Sequence, residues 1–257
     1  MRSPGRRAAA AIAGSALLLA ALGAASPASA RAPFLADDAE PIAPEAWEVI
    51  FASRSSFDPD GFVGTAPEVE VNWGFAPGLQ LHALAPLTVA AHAGDRRVGP
   101  GDLTVGAKAR LADKTYGDVR GQIALFPKLS FPSGTPGLGQ GRAVFFLPVW
   151  AETSYGPWAA YGGGGIRTAT AAFPSGSFFF GWVLQRRLGR GLVGAEIVYE
   201  AAAQRERPPR SGGSLGGGVD VSARHHLLAS FGFGTAPRDL RAYLGWLVAW
   251  GGAVAGE

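Results

Sequence analysis

The chain has 257 residues, 47% of them hydrophobic and 17% charged, and it contains no cysteine. An exported chain without thiols has neither a disulfide framework nor thiolate metal sites. The charges are 23 Lys+Arg against 20 Asp+Glu, with no basic cluster interleaved with aromatics, which speaks against a nucleic-acid partner.

Residues 1–30 read as a cleaved signal peptide. Arg2, Arg6 and Arg7 form a basic start, Ala8 to Ala25 is an apolar run broken by Gly14 and Gly23, and Ala28-Ser29-Ala30 is a cleavage site. Three of the 23 basic residues lie there, so the remainder is charge-balanced. Residues 31–46 are rich in Ala, Pro, Asp and Glu and are expected to be a flexible lead-in. Twelve strands are then predicted, at about 47–54, 66–75, 79–90, 102–111, 121–131, 143–154, 158–168, 177–187, 192–200, 214–223, 226–234 and 240–250. Residues 251–257 form a tail.

The warrant for these strands is a period of two. Glu68-Val69-Glu70-Val71-Asn72-Trp73 puts apolar side chains at odd positions and polar ones at even positions. Asp102 to Leu111 alternates in the same phase. Such strands have one apolar and one polar face. Most have the length of a tilted bilayer-crossing strand. Ala76-Pro77-Gly78, Tyr155-Gly156-Pro157, Leu188-Gly189-Arg190-Gly191 and Arg224-His225 are tight turns. The connections 55–65, 91–101, 132–142 and 201–213 are longer, and 112–120 is longer than its place predicts. Alternating short and long connections predict an all-β, up-and-down antiparallel transmembrane β-barrel of about twelve strands over residues 47–250, with short periplasmic turns. Trp47, Trp73, Phe75, Trp246 and Trp250 fall near one rim, and Phe57, Phe62, Phe131 and Phe173 near the other, as interfacial girdles would. Pro86, Pro127 and Pro148 oppose the reading, because each removes a ladder donor inside a predicted strand; bulges or rim positions would accommodate them.

The inward phase supplies the candidate lumen-lining residues: Glu68, Glu70, Asn72, His82, Asp102, Lys108, Arg110, Lys128, Glu152, Glu196, Asp220 and Arg224, with Gln80, Gln122 and Glu200 beside them. Both charge signs are present, which suits ion-pair networks across a narrow lumen or the lining of a channel. No catalytic, cofactor-binding or metal-binding residue is predicted. The four histidines lack ligand spacing. Gly212-Gly213-Ser214-Leu215-Gly216 matches a nucleophile-elbow pattern, but a strand rhythm follows it where a helix is required.

Three stretches stand out together: Phe34-Leu35-Ala36-Asp37-Asp38-Ala39-Glu40-Pro41 followed by Trp47-Glu48, Gly101-Asp102-Leu103-Thr104-Val105-Gly106-Ala107-Lys108, and Phe131-Pro132-Ser133-Gly134 with the glycine loop to Gly141. In order and spacing they resemble bacterial proteins of the MetA-pathway of phenol degradation, a family of outer-membrane transporters. The resemblance implies an outer-membrane barrel that passes small, often hydrophobic or aromatic molecules, and no catalytic motif.

The leading expectation is therefore a non-enzymatic, passive outer-membrane channel whose partners are membrane lipid and a small-molecule solute. Loops 132–142 and 201–213 would gate it, with Arg205, Arg207 and Arg210 of the latter offering charge to anions. Two alternatives are a barrel-embedded lipid hydrolase using Ser230 and His226, and a soluble secreted β-sandwich that binds a ligand.

Overall fold

The structure is a computed structural model and describes residues 33–58, 61–92, 94–169, 176–202, 209–235 and 239–252. Its strands are β1 (Ala46–Asp58), β2 (Gly61–Ala76), β3 (Leu79–His92), β4 (Asp95–Pro100), β5 (Thr104–Tyr116), β6 (Val119–Leu125), β7 (Lys128–Ser130), β8 (Val144–Tyr155), β9 (Trp158–Ala169), β10 (Ser177–Leu188), β11 (Gly191–Ala202), β12 (Arg210–Asp220), β13 (His225–Gly234) and β14 (Leu240–Gly251). No helix occurs among the described residues.

Two pairs of these strands are single barrel staves interrupted once. Along β3, β4 pairs from Leu87↔Pro100 to His92↔Asp95, and β5 continues from Leu84↔Thr104 to Leu79↔Ala109. Along β5 and β8, β6 and β7 likewise run in series. Every pairing is antiparallel, and β14 pairs with β1 from Ala46↔Gly251 to Phe57↔Leu240. The result is a closed, twelve-stave, up-and-down barrel. Closure removes the open edges that a two-sheet sandwich would keep, so the β-sandwich alternative is overturned.

Strand extents differ from expectation where polar residues continue the ladder. β1 and β2 run through most of 55–65, and β3 and β4 through most of 91–101. Those stretches read as loops because they lack alternation; the backbone pairs regardless. The anomalous connection 112–120 resolves in the same way. β5 and β6 extend to a two-residue turn at Gly117-Asp118, with Gly117 at a φ of 58° that favours glycine. All the turns at the end carrying Ala46 and Gly251 are then short.

The prolines find irregular places. In an antiparallel ladder the N–H and C=O of one residue point to the same neighbour. Pro86 O accepts from Gly101 N, so its missing donor would face the 101–103 interruption between β4 and β5. Pro148 O accepts from Phe126 N, so its missing donor faces the break between β6 and β7, where Pro127 itself sits. Neither costs a regular ladder bond.

Alternation sorts the side chains. Leu111, Ile166, Leu184, Ile197, Leu215, Phe231 and Leu244 are exposed on the outside. Glu68, Asn72, Gln80, His82, Lys108, Gln122, Glu152 and Glu196 are buried within. Outward aromatics gather toward both ends. Trp47 stacks on Trp73 with ring centroids 5.2 Å apart at the end carrying Ala46 and Gly251, and Phe57 meets Phe62 at 4.9 Å at the opposite end. Phe131 keeps to that opposite end, whereas Phe173, the residues 1–30 expected to be a signal peptide and most of the 251–257 tail lie outside the described residues.

Candidate functional site: a lumen occupied by the N-terminal segment

Residues 33–44, expected to be a flexible lead-in, pack inside the barrel. Phe34, Ala36, Asp38, Ala39 and Ile42 are buried there. The segment has two faces. Its apolar face, Phe34, Ala36 and Ala39, packs against Trp150, Tyr161, Phe179 and Val183 on β8, β9 and β10, with Phe126 between β6 and β7. The wall yields space by glycine. A Cβ on Gly181 would stand 2.9 Å from the Ala36 Cβ, and one on Gly216 3.1 Å from the Phe34 ring.

The acidic face meets cations of the opposite wall. Lys108 on β5, 3% exposed, donates from Nζ to Asp37 Oδ1 at 2.8 Å and to Asp38 Oδ1 at 2.9 Å. Lys128 on β7 reaches Asp37 Oδ2 at 3.4 Å. Both lysines stand over the Phe126 ring, at 5.1 and 4.0 Å from its centroid. Nearer the short turns, Arg120 Nη1 donates to Glu40 Oε1 at 2.8 Å. Wall side chains also satisfy the segment's backbone, as buried amides require. Glu196 Oε1 accepts from Leu35 N at 2.8 Å and Ala36 N at 2.6 Å. Gln80 Oε1 accepts from Ile42 N at 3.0 Å, and Ser230 Oγ donates to Pro33 O at 2.6 Å.

Burial raises the Asp38 carboxyl to about 6; the Asp37 charge adds to the rise and Lys108 opposes it. Burial acts on Asp37 as well, but Lys108 and Lys128 outweigh it and hold that carboxyl below the ordinary carboxylate range. A lysine that holds two adjacent aspartates leaves the pair with one net negative charge, and the two acids differ because only Asp37 has a second cation.

Much of the rest of the lumen is polar and charged side chains in pairs, although Glu152 Oε2 is buried without a hydrogen-bond partner. On β2 and β3, Asn72 Nδ2 donates to Glu70 at 2.8 Å, while Asn72 Oδ1 takes Gln80 Nε2 and faces His82 Nδ1, each at 2.9 Å. Arg54 on β1 pairs with Glu68 at 3.3 Å, Arg167 on β9 with Glu200 at 2.8 Å, and Arg241 on β14 with Asp239 at 3.0 Å. These three pairs lie in the half away from the chain ends. Near the short turns, Asp220 takes Arg187 and His226, both at 2.7 Å.

Most predicted lumen residues thus face inward: Glu68, Glu70, Asn72, His82, Lys108, Arg110, Lys128, Glu152, Glu196 and Asp220. Two stand elsewhere. Asp102 sits in the 101–103 interruption, where Oδ1 and Oδ2 accept from Gly134 N at 2.9 Å and Gln140 N at 2.6 Å, pinning the 132–142 loop. Arg224 is exposed in the turn between β12 and β13. Asp37, Asp38 and Glu40 escaped the inward phase because they lie on no strand. The stretch from Phe34 to Ile42 mixes apolar and acidic residues without a regular period, so no pattern in the sequence marked them. Arg54, Arg167 and Arg241 escaped because glycine and small residues blur the phase of their strands, and Arg187 because β10 is almost wholly apolar on both faces from Phe178 to Leu184.

The Ser230 and His226 pair does not assemble. Both face inward on β13 with Leu228 between them, which separates them by about 13 Å along a strand. Ser230 instead holds Pro33, and His226 holds Asp220. Residues 203–208, including Arg205 and Arg207, lie outside the described residues, and Arg210 opens β12.

No family model matches the chain, and no curated protein matches it. Solved structures do. The COG4313 outer membrane channel from Pseudomonas putida F1 superposes with a TM-score of 0.66 at 13% identity, covering 83% of this chain and 98% of that one. The KdgM porin, in complex with disordered oligogalacturonate, gives a TM-score of 0.57 at 10% identity over 79% of this chain and 99% of that one. The translocator domain of the autotransporter NalP from Neisseria meningitidis gives 0.51 at 12% identity over 96% of both chains. The chain therefore has the fold of outer-membrane β-barrels.

Proposed function

We propose that this protein is a passive outer-membrane channel for small molecules, hydrophobic and aromatic ones included, of the kind found with the MetA-pathway of phenol degradation, and that it is not an enzyme. Residues 1–30 serve as its export signal. The end carrying Ala46 and Gly251 faces the periplasm, and the longer loops face outward. The observation that carries the reading is the lumen itself. A closed barrel with an apolar exterior encloses a charged interior, and the material filling that interior is a terminal segment attached to the wall by side-chain contacts rather than by ladder pairing. Such a filling can leave without breaking the barrel. The likeness to a channel and a porin supports the same fold and function.

The test is conductance and liposome swelling on refolded protein, with and without residues 33–44. Deletion should leave a folded barrel by circular dichroism and raise the swelling rate for small solutes several-fold. A deleted barrel that passes no solute would identify a closed structural barrel instead.

A further inference from the structure

The wall behind the lumenal segment holds polar atoms that the segment leaves unused. Trp150 and Glu152 are successive inward residues of β8, and Tyr161 on β9 is the register partner of Glu152. On β10, Gln185 is the next inward residue after Val183, the partner of Tyr161. All four are buried, with Trp150, Tyr161 and Gln185 at 1% exposure and Glu152 at 5%. Among the described residues, Trp150 Nε1, Tyr161 OH, Glu152 Oε2 and both amide atoms of Gln185 have no hydrogen-bond partner. A buried donor or acceptor left unsatisfied costs stability, and native proteins leave few of them. Here they cluster on three adjacent strands at one level of the lumen.

The segment does not satisfy them, because it turns Phe34, Ala36 and Ala39 toward this wall. Phe34 crowds the space over Gly194 beside Gln185: a Cβ there would stand 3.1 Å from the Phe34 ring and 3.0 Å from the Gln185 Cβ. Cations adjoin the same place. Lys108 and Lys128 stand over Phe126, which packs in one cluster with Trp150 and Tyr161. Their ion-pair partners are the segment's own aspartates, so both lysines come free when the segment leaves. The wall acids close to them are Glu152 and Glu70, and Glu70 is held by Asn72 and His82 at 2.8 and 3.5 Å. Two lysines against Glu152 leave one positive charge for a guest. The space vacated is that of the chain from Phe34 to Glu40, which is more than one six-membered ring requires.

We propose that the vacated lumen is a binding site for hydroxylated monocarboxylates, sugar acids foremost. Lys108 and Lys128 take the carboxylate by charge-assisted hydrogen bonds. Trp150, Tyr161, Gln185 and Glu152 take the hydroxyls, and the rings of Phe126 and Phe179 cover the apolar face of the guest. Sugar acid and segment then compete for one place. The proposal rests on the channel reading, because only a segment that can leave uncovers the site. It is tested by binding alone, so failure of passage and failure of binding are separate results.

The experiment is isothermal titration of the full chain in nanodiscs with glucuronate, glucose and cyclohexanecarboxylate. Glucose lacks the carboxylate, and cyclohexanecarboxylate lacks the hydroxyls. Glucuronate should bind saturably at one site, and each of the other two about tenfold or more weakly. Phe34→Asp, which loosens the segment and leaves the wall intact, should bind glucuronate several-fold more tightly. Lys108→Met should lose most of the preference for glucuronate over glucose, and Gln185→Leu most of its preference over cyclohexanecarboxylate. Each of these compares two ligands on one protein, so a change in how firmly the segment docks cancels. Phe34→Asp answers the question if a wall variant fails to refold. Glucuronate bound no more tightly by Phe34→Asp than by the parent, either comparison ligand matching glucuronate, or preferences unchanged in both wall variants would each overturn the proposal.

Discussion

Lys108 shows what one inward side chain can decide. It is buried, and both of its hydrogen bonds go to aspartates of the lumenal segment. Removing one partner of a buried ion pair costs roughly 3–5 kcal/mol, because the other charge is left without compensation. Here that loss falls on the docking of the segment, not on the barrel, since among the described residues Lys108 pairs with Asp37 and Asp38 of the segment. Lys108→Met is therefore expected to raise conductance in a planar bilayer while the folded barrel still resists detergent on a gel. Adding Asp38→Asn to it should restore much of the closure, because Asp37 still has Lys128 and the aspartate left without a cation is gone. An unchanged conductance in Lys108→Met would show that the segment is held by its apolar face.

At the scale of a strand, β14 carries both environments in alternation. Tyr243, Gly245 and Leu247 face inward, and Leu244, Trp246 and Val248 outward. Leu244 is 65% exposed and directed away from the lumen. An arginine there near the bilayer midplane costs about 2–4 kcal/mol. Leu244→Arg should lower the free energy of unfolding from vesicles, measured by urea titration, by that amount. The same protein in detergent should lose far less, because detergent adapts to a charge more readily than a bilayer does. The strands that were easiest to read, β2 and β5, are those in which this alternation is unbroken. β8 and β9 were harder, because Val144 to Trp150 is apolar on both faces and Gly162 to Gly165 put no side chain on either.

For the whole molecule, the central equilibrium is between the segment in the lumen and the segment in water, and pH acts on it through Asp38. Its carboxyl titrates at about 6 when buried and at the ordinary 3.8 when free. The occupied barrel therefore takes up a proton between those values, and it is favoured as the pH falls from above 6 toward 4. Asp37 acts in the opposite sense, but only below its ordinary 3.8. Conductance is expected to drop on acidification from about pH 7.5 to about pH 5, by at most about tenfold for each unit of Asp38 shift. Asp38→Asn should flatten that response. A conductance that rises over the same interval would contradict the assignment.

The period of two, the short turns and the aromatic rims determined that this chain forms a twelve-stave barrel with polar residues inside, because alternation is a local property and a one-residue slip would turn carboxylates outward. Closure of β1 on β14 and the filling of the lumen were decided only in three dimensions. The segment from Phe34 to Pro44 has no periodicity of its own to read. Its acids acquire meaning from lysines some 70 to 90 residues further on, and those meet it only once the barrel has brought β5 and β7 around it.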